Sequence, residues 1–164
     1  METYFELVVE TLTGAGYRWY ETANFCRADG RADGKGRDLR SHHNLGYWLG
    51  RDYLGLGVGA VSTIENTRWR NAPSLRGYPE ALDAGGLPPR ELEELGQVTR
   101  DAERVMLGLR LDEPLPLAGL EHTLDGDGLA RLQRLGLAER RNGTLALTER
   151  GRFLSDGVTA RLLA

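Results

Sequence analysis

Cysteine is nearly absent from this chain: Cys26 stands alone in 164 residues. One thiol excludes an internal disulfide framework, and it excludes an iron–sulfur cluster held by this chain's cysteines by themselves. Lysine is as scarce, Lys35 being the one lysine among 21 basic residues, which reads as a compositional bias toward arginine rather than a binding signal. Long apolar runs are missing too. No stretch approaches 18 apolar residues, which predicts no helical membrane span, and the start Met1-Glu2-Thr3-Tyr4-Phe5-Glu6 is acidic where an export signal is basic. A net charge of −3 argues neither for a polyanionic partner nor against one. Together these features predict a cytoplasmic, water-soluble chain of one ordinary domain or two small ones.

What is present concentrates between residues 41 and 61. Ser41-His42-His43-Asn44-Leu45-Gly46-Tyr47-Trp48 places an imidazole, an amide, a phenol and an indole within six residues. That set suits a flat, bulky, partly apolar ligand. Two adjacent imidazoles point in different directions and no third ligand follows at a regular spacing, so His42-His43 is a poor zinc motif. Tyr53 to Val61 is predicted as a strand with Gly55, Gly57 and Gly59 on one face and Leu54, Leu56, Val58 and Ala60 on the other. A row of glycines in a strand admits a close ligand, or it admits neighbouring side chains in a tight interior; both readings stand.

These residues carry a family resemblance. Tyr20-Glu21-Thr22-Ala23-Asn24-Phe25, then His43-Asn44-Leu45-Gly46-Tyr47-Trp48, then Tyr53-Leu54-Gly55-Leu56-Gly57 with Ala60, resemble the HemW group of radical SAM proteins, which are similar to oxygen-independent coproporphyrinogen III oxidase. Arg68-Trp69-Arg70-Asn71 fits the segment that follows in that group. The likeness is to the C-terminal part alone: the end of a (β/α) barrel and a small terminal domain. It implies a place in tetrapyrrole metabolism, as a haem chaperone or a coproporphyrinogen oxidase-like protein. His43 is then the expected ligand to haem iron, with Asn44, Tyr47 and Trp48 shaping the site, and an imidazole is a competent axial ligand. The resemblance also puts Gly59, Ala60 and Val61 near the adenosyl group of S-adenosylmethionine, although Val58 and Val61 stand where the group usually has Pro and often His.

The departure from the family is its C-x3-C-x2-C cluster motif, which this chain lacks. S-adenosylmethionine and a 4Fe–4S cluster are therefore expected in a full-length relative or with a partner chain, and the chain alone is not expected to cleave S-adenosylmethionine. An unpaired piece of barrel is predicted to need the missing N-terminal half or to self-associate.

Along the chain, Phe5, Val8, Val9 and Leu12 predict a helix over 2–13. Residues 17–25 read as a strand ending near Glu21 and Asn24, the end that bears chemistry in a parallel barrel; for Glu21 an ion pair with a nearby arginine is the preferred reading. Residues 27–40 form a charged, glycine-rich loop whose Arg37 and Arg40 could reach carboxylates. Residues 79–90 read as a linker, and 91–109 as an amphipathic helix with Leu92, Leu95, Val98, Ala102, Val105, Met106 and Leu109 inward. The remainder reads as a winged helix. Asp127 caps a helix to Leu135, Asn142-Gly143 turns a hairpin, and a last helix starts near Glu149. The fold class is thus α+β: a partial barrel over 1–78, a linker, and a winged-helix-like domain over 91–164. The alternative to haem is a nucleic-acid-binding or protein-interaction module, for which residues 129–152 offer six arginines against two glutamates.

Overall fold

The computed structural model describes residues 2–27 and 37–163. Its first element is α1 (Glu2–Gly14), where the opening helix is expected. Phe5 turns inward and meets Trp19 and Phe153 edge-on at 5.9 and 5.7 Å, and Val9 is buried. Tyr4, Leu7 and Val8 stay exposed on the same helix.

Residues 17–25 do not make one strand. They fold as a hairpin, β1 (Tyr17–Glu21) antiparallel to β2 (Asn24–Arg27). The Glu21 carboxylate closes the turn by accepting from the Ala23 amide at 3.2 Å and from Asn24 Nδ2 at 2.6 Å. A short side chain-to-backbone bond of this kind competes with continued extension. Glu21 and Asn24 are therefore turn-formers, not the mouth of a parallel strand, and every strand pairing among the described residues is antiparallel. Most of the charged loop at 27–40, residues 28–36, lies outside the described residues. At its far end Arg40 binds Asp38 at 2.8 Å and Glu113 at 2.7 Å.

The predicted strand at 53–61 is also not formed. After α2 (His42–Trp48), Tyr53 makes a single bridge to Thr63, and the chain loops until β3 (Val61–Ile64) and β4 (Thr67–Asn71). Gly57 and Gly59 take φ of 104° and 66°, which breaks the alternation on which a glycine face depends. The loop is pinned from below. Gly55 N donates to Ser62 Oγ and Gly57 N to Tyr78 Oη, while Asn71 Nδ2 donates to the Gly57 carbonyl, each at 2.9 Å. Ser62 and Asn71 are buried. At Gly55 the close approach is to backbone: a Cβ there would lie 2.2 Å from the Val61 carbonyl oxygen. Gly55→Ala is expected to cost about 2 kcal/mol in urea unfolding, in the range typical of overpacking; an unchanged midpoint would mean that the loop moves freely off β3.

The segment expected as a linker holds α3 (Gly77–Asp83) and then enters β5 (Arg90–Glu94), which extends the sheet in the order β3-β4-β5. Residues 90–94 were predicted as the approach and first turn of a helix. As a strand they place Glu93 opposite Arg68 and Glu91 opposite Arg70, opposite-charge pairs that favour this register. The helix α4 begins only at Gln97 and runs to Gly108. The expected stripe is displaced accordingly: Val105 and Leu109 are buried, whereas Leu92, Val98 and Met106 are exposed.

Beyond α4 come β6 (Leu115–Pro116), a 3-10 turn (Glu121–Thr123), α5 (Gly126–Arg134), β7 (Ala138–Arg141) and β8 (Thr144–Leu147), then α6 (Glu149–Phe153) and α7 (Ser155–Thr159). The sheet order is β6-β8-β7. Asn142 and Gly143 both have positive φ, 50° and 76°, as the tight hairpin demands. Asp125 rather than Asp127 caps α5, accepting from the Asp127 amide at 3.0 Å, and the last helix is broken at Leu154. Val105, Leu117, Leu132, Leu145 and Leu162 centre the main core. A smaller one gathers Tyr20, Cys26, Leu45 and Leu111 under Trp48 and Leu49.

The N-terminal hairpin is fastened to this C-terminal region. Arg18 forms a two-pronged pair with Asp112 at 2.7 and 2.9 Å. Arg152 lies 3.7 Å over the Trp19 ring and donates to the Trp19 carbonyl at 2.7 Å. Burial pushes the Arg152 guanidinium below its ordinary pKa, and that ring and carbonyl are the groups that receive it. No helix among the described residues is long and apolar enough to cross a membrane.

Candidate functional site

The motif residues 43, 44, 47 and 48 fall on one short helix as two i,i+4 pairs, which gives α2 two working faces. Ser41 caps the helix by accepting from the Asn44 amide at 3.3 Å. Leu45 anchors it in the small core. On one face His43 and Tyr47 meet edge-to-face at 5.1 Å, and Tyr47 continues to Tyr53 at 4.7 Å. His43 is exposed, and its imidazole has no hydrogen-bond partner among the described residues. On the other face Asn44 Nδ2 donates to the Tyr20 hydroxyl at 3.2 Å, so the amide helps to hold α2 on the hairpin. Trp48 is half-buried, with the Arg110 guanidinium 4.4 Å over its ring.

Between α2, the β3–β4 hairpin and α4 lies a cavity of about 680 Å³, within the usual size of small-molecule sites. Tyr47, Trp48, Tyr53 and Leu107 give it aromatic and aliphatic wall, and Arg100 and Arg104 enter from α4. The sequence reading missed the two arginines. Their signal was present in the i,i+4 spacing on a helix whose apolar residues alone had been counted.

Gly59, Ala60 and Val61 are elsewhere. They end the pinned loop and begin β3, and none of them lines this cavity. The structure thus joins Tyr47 and Trp48 in one wall, with His43 one aromatic contact away, and leaves the second expected set on a separate surface. Among the described residues no three His, Cys, Asp or Glu side chains are grouped to hold a metal ion. Cys26 is buried and its thiol is pushed up by that burial, a setting that makes it inert rather than a cluster ligand.

Residues 99–154 match the family model described as the HemN C-terminal domain. The chain is 38% identical over 165 residues to the heme chaperone HemW of Mycobacterium tuberculosis, an alignment covering 97% of this chain and 38% of that protein. The chain is homologous to the C-terminal part of HemW-type proteins. The HemW of Bacillus subtilis is 28% identical over 166 residues, 97% of this chain and 41% of its own. The chain therefore spans about two fifths of the length of these HemW relatives. The solved coproporphyrinogen III oxidase (HemN) of Escherichia coli, described as a radical SAM enzyme, superposes with a TM-score of 0.69. That superposition covers 96% of this chain and 39% of the oxidase at 21% identity, a likeness of fold. The helix with His43 and Tyr47, the pinned loop and the β6-β8-β7 region all lie within the stretch shared with HemW.

Proposed function

We propose that this chain is the haem-receiving portion of a HemW-like protein, binding haem as cargo for delivery, with His43 as the iron ligand. The observation that carries the reading is the His43 imidazole. It is exposed, has no hydrogen-bond partner among the described residues, and leads through Tyr47 and Tyr53 along one wall of a cavity with aromatic lining. A neutral imidazole held by ring contacts alone keeps a nitrogen lone pair for iron. Tyr47 and Trp48 offer flat surface, and Asn44 serves the site by holding α2 to Tyr20.

The chemistry that a 4Fe–4S cluster and S-adenosylmethionine supply belongs, in this reading, to an N-terminal half absent from these 164 residues. The residues present do not fit a cluster, since the single thiol is buried. The apolar side chains left exposed on α1, Tyr4 and Leu7, and on the pinned loop, Leu54 and Leu56, are in this reading the contacts offered to that half. Residues 91–164 serve, in this reading, as a winged-helix-like domain. The basic charge expected there for nucleic acid is offset locally: Arg141 pairs with Glu139 at 2.9 Å, and Arg131, Arg134 and Arg161 share a shallow groove with Asp125 and Asp127.

Haemin titration followed by the Soret band tests the reading. A saturable one-to-one shift is expected, and His43→Ala should lose the shifted band and weaken binding about tenfold, the order of one coordinate bond's net contribution after desolvation. Identical spectra for the two proteins would remove His43 as a ligand.

A further inference from the structure

The first helix carries more apolar surface than it buries. By the helical period Phe5, Val9 and Leu12 share one side of α1, and Tyr4, Leu7, Val8 and Thr11 form a second stripe beside it at i, i+3, i+4 and i+7. The first set is turned inward: Val9 is buried, and Phe5 meets Trp19 and Phe153. The second is bare. Tyr4 is 78% exposed, Leu7 58% and Val8 44%. Thr11 is exposed as well, but its hydroxyl donates back to the Leu7 carbonyl at 2.7 Å, so its methyl extends the stripe. Scattered apolar side chains are ordinary on a surface, whereas four in helical register make one contiguous patch.

The stripe fits a second copy of itself. It is symmetric about the midpoint between Leu7 and Val8. An antiparallel copy related by a two-fold axis through that midpoint sets Leu7 against Leu7 and Val8 against Val8, with the large Tyr4 opposite the small Thr11 at both ends. That is the self-complementarity an isologous contact requires. The charges do not oppose it, because Glu6 and Glu10 are exposed but fall off the stripe, which keeps like charges out of the seam. The area is modest. These side chains cover roughly half of the ~800 Å² that each partner gives to a standard interface, so the dimer is weak and depends on concentration.

We propose that two copies of this chain associate through antiparallel α1 helices, with Leu7 and Val8 at the two-fold axis and Tyr4 against Thr11. The haem-receiving reading offers Tyr4 and Leu7 to an N-terminal half. A second copy takes the same face when that half is absent, so the two occupants exclude each other. The pairing involves neither His43 nor the cavity beside α2, and it stands apart from iron ligation.

Sedimentation velocity of the 164-residue chain from about 10 to about 500 µM should show monomer passing to dimer, with a dissociation constant on the order of 100 µM. Leu7→Glu should raise that constant about tenfold or more. Its far-ultraviolet circular dichroism should match the wild type, since the side chain it replaces is exposed. Leu7→Cys gives a second readout. Its thiol would face its counterpart across the axis and should form a disulfide-linked dimer on mild oxidation, whereas Glu6→Cys on the far side of the helix should not. Cys26 is buried and adds no link of its own. A chain that stays monomeric over the whole range overturns the proposal and leaves the face to the N-terminal half. A dimer that survives Leu7→Glu, or equal cross-linking from positions 6 and 7, overturns it too. His43→Ala should leave the dimer unchanged and Leu7→Glu should leave the haemin titration unchanged, so either reading can fail without the other.

Discussion

Glu21→Ala is expected to destabilise the chain by about 3 kcal/mol, at the upper end for one lost hydrogen-bonded charge. The carboxylate is 1% exposed and serves three donors at once. It accepts from the Ala23 amide and Asn24 Nδ2 within the hairpin, and from Arg110 Nε at 3.0 Å across to the turn that follows α4. Removing it leaves all three without an acceptor, and Arg110 is 29% exposed, so water relieves it only in part. The effect reaches the site because the same guanidinium covers the Trp48 ring. Urea denaturation gives the cost. A cycle with Arg110→Met separates the ion pair from the turn, since the pair's share vanishes in the Met background and the turn's share remains. Glu21→Gln should recover roughly half, because the amide oxygen still accepts while its NH2 faces donors. A cost below about 1 kcal/mol for the alanine variant would mean that the hairpin closes without its carboxylate.

The preferred sequence reading of Glu21 was an ion pair with an arginine, and that is what the structure holds. Its partner was out of reach of inspection, because Arg110 lies 89 residues away. Elements defined by local chemistry were legible: α1 by its apolar spacing, the β7–β8 hairpin by Asn142-Gly143, α5 by its cap within two residues. Elements defined by a distant neighbour were misread. Arg90–Glu94 has a strand partner in β4 that no window around residue 90 contains, so its leucine and glutamates were counted into the helix that begins at Gln97. The glycines at 55, 57 and 59 fit an alternating strand by spacing, yet their backbone answers to Ser62, Asn71 and Tyr78. The site divides the same way. The motif on α2 was visible as a cluster of unusual side chains, whereas Arg100 and Arg104 acquire meaning only once α4 is laid against α2 and a cavity opens between them.

Gly151→Ala sets two effects of opposite sign against each other, and the larger is expected to win by a wide margin. Alanine inside a helix is favoured over glycine by about 1 kcal/mol, so helix propensity alone predicts a more stable protein. Gly151 is in the middle of α6, but it is buried and its missing side chain faces backbone: a Cβ would lie 1.9 Å from the Leu137 carbonyl oxygen and 2.9 Å from its carbon. Neither partner can yield cheaply. The Leu137 carbonyl accepts from the Thr148 amide at 3.1 Å, and Thr148 Oγ1 caps α6 through the Gly151 amide at 3.0 Å while donating to the Gly136 carbonyl at 2.7 Å. Moving α6 outward breaks that capped corner and uncovers Leu137 and Leu147 beneath it. Gly151→Ala should therefore lose 3 kcal/mol or more, roughly the top of the overpacking range. Gly157→Ala is the control on the neighbouring helix α7, since its Cβ would meet Arg161 Nη1 at an ordinary 3.6 Å. There the propensity term is unopposed, and a gain of about 0.5 kcal/mol is expected. Thermal or urea unfolding of the two variants side by side decides the point: opposite signs establish that α6 is fixed by backbone approach to Leu137, and two gains would show that the corner has room to open.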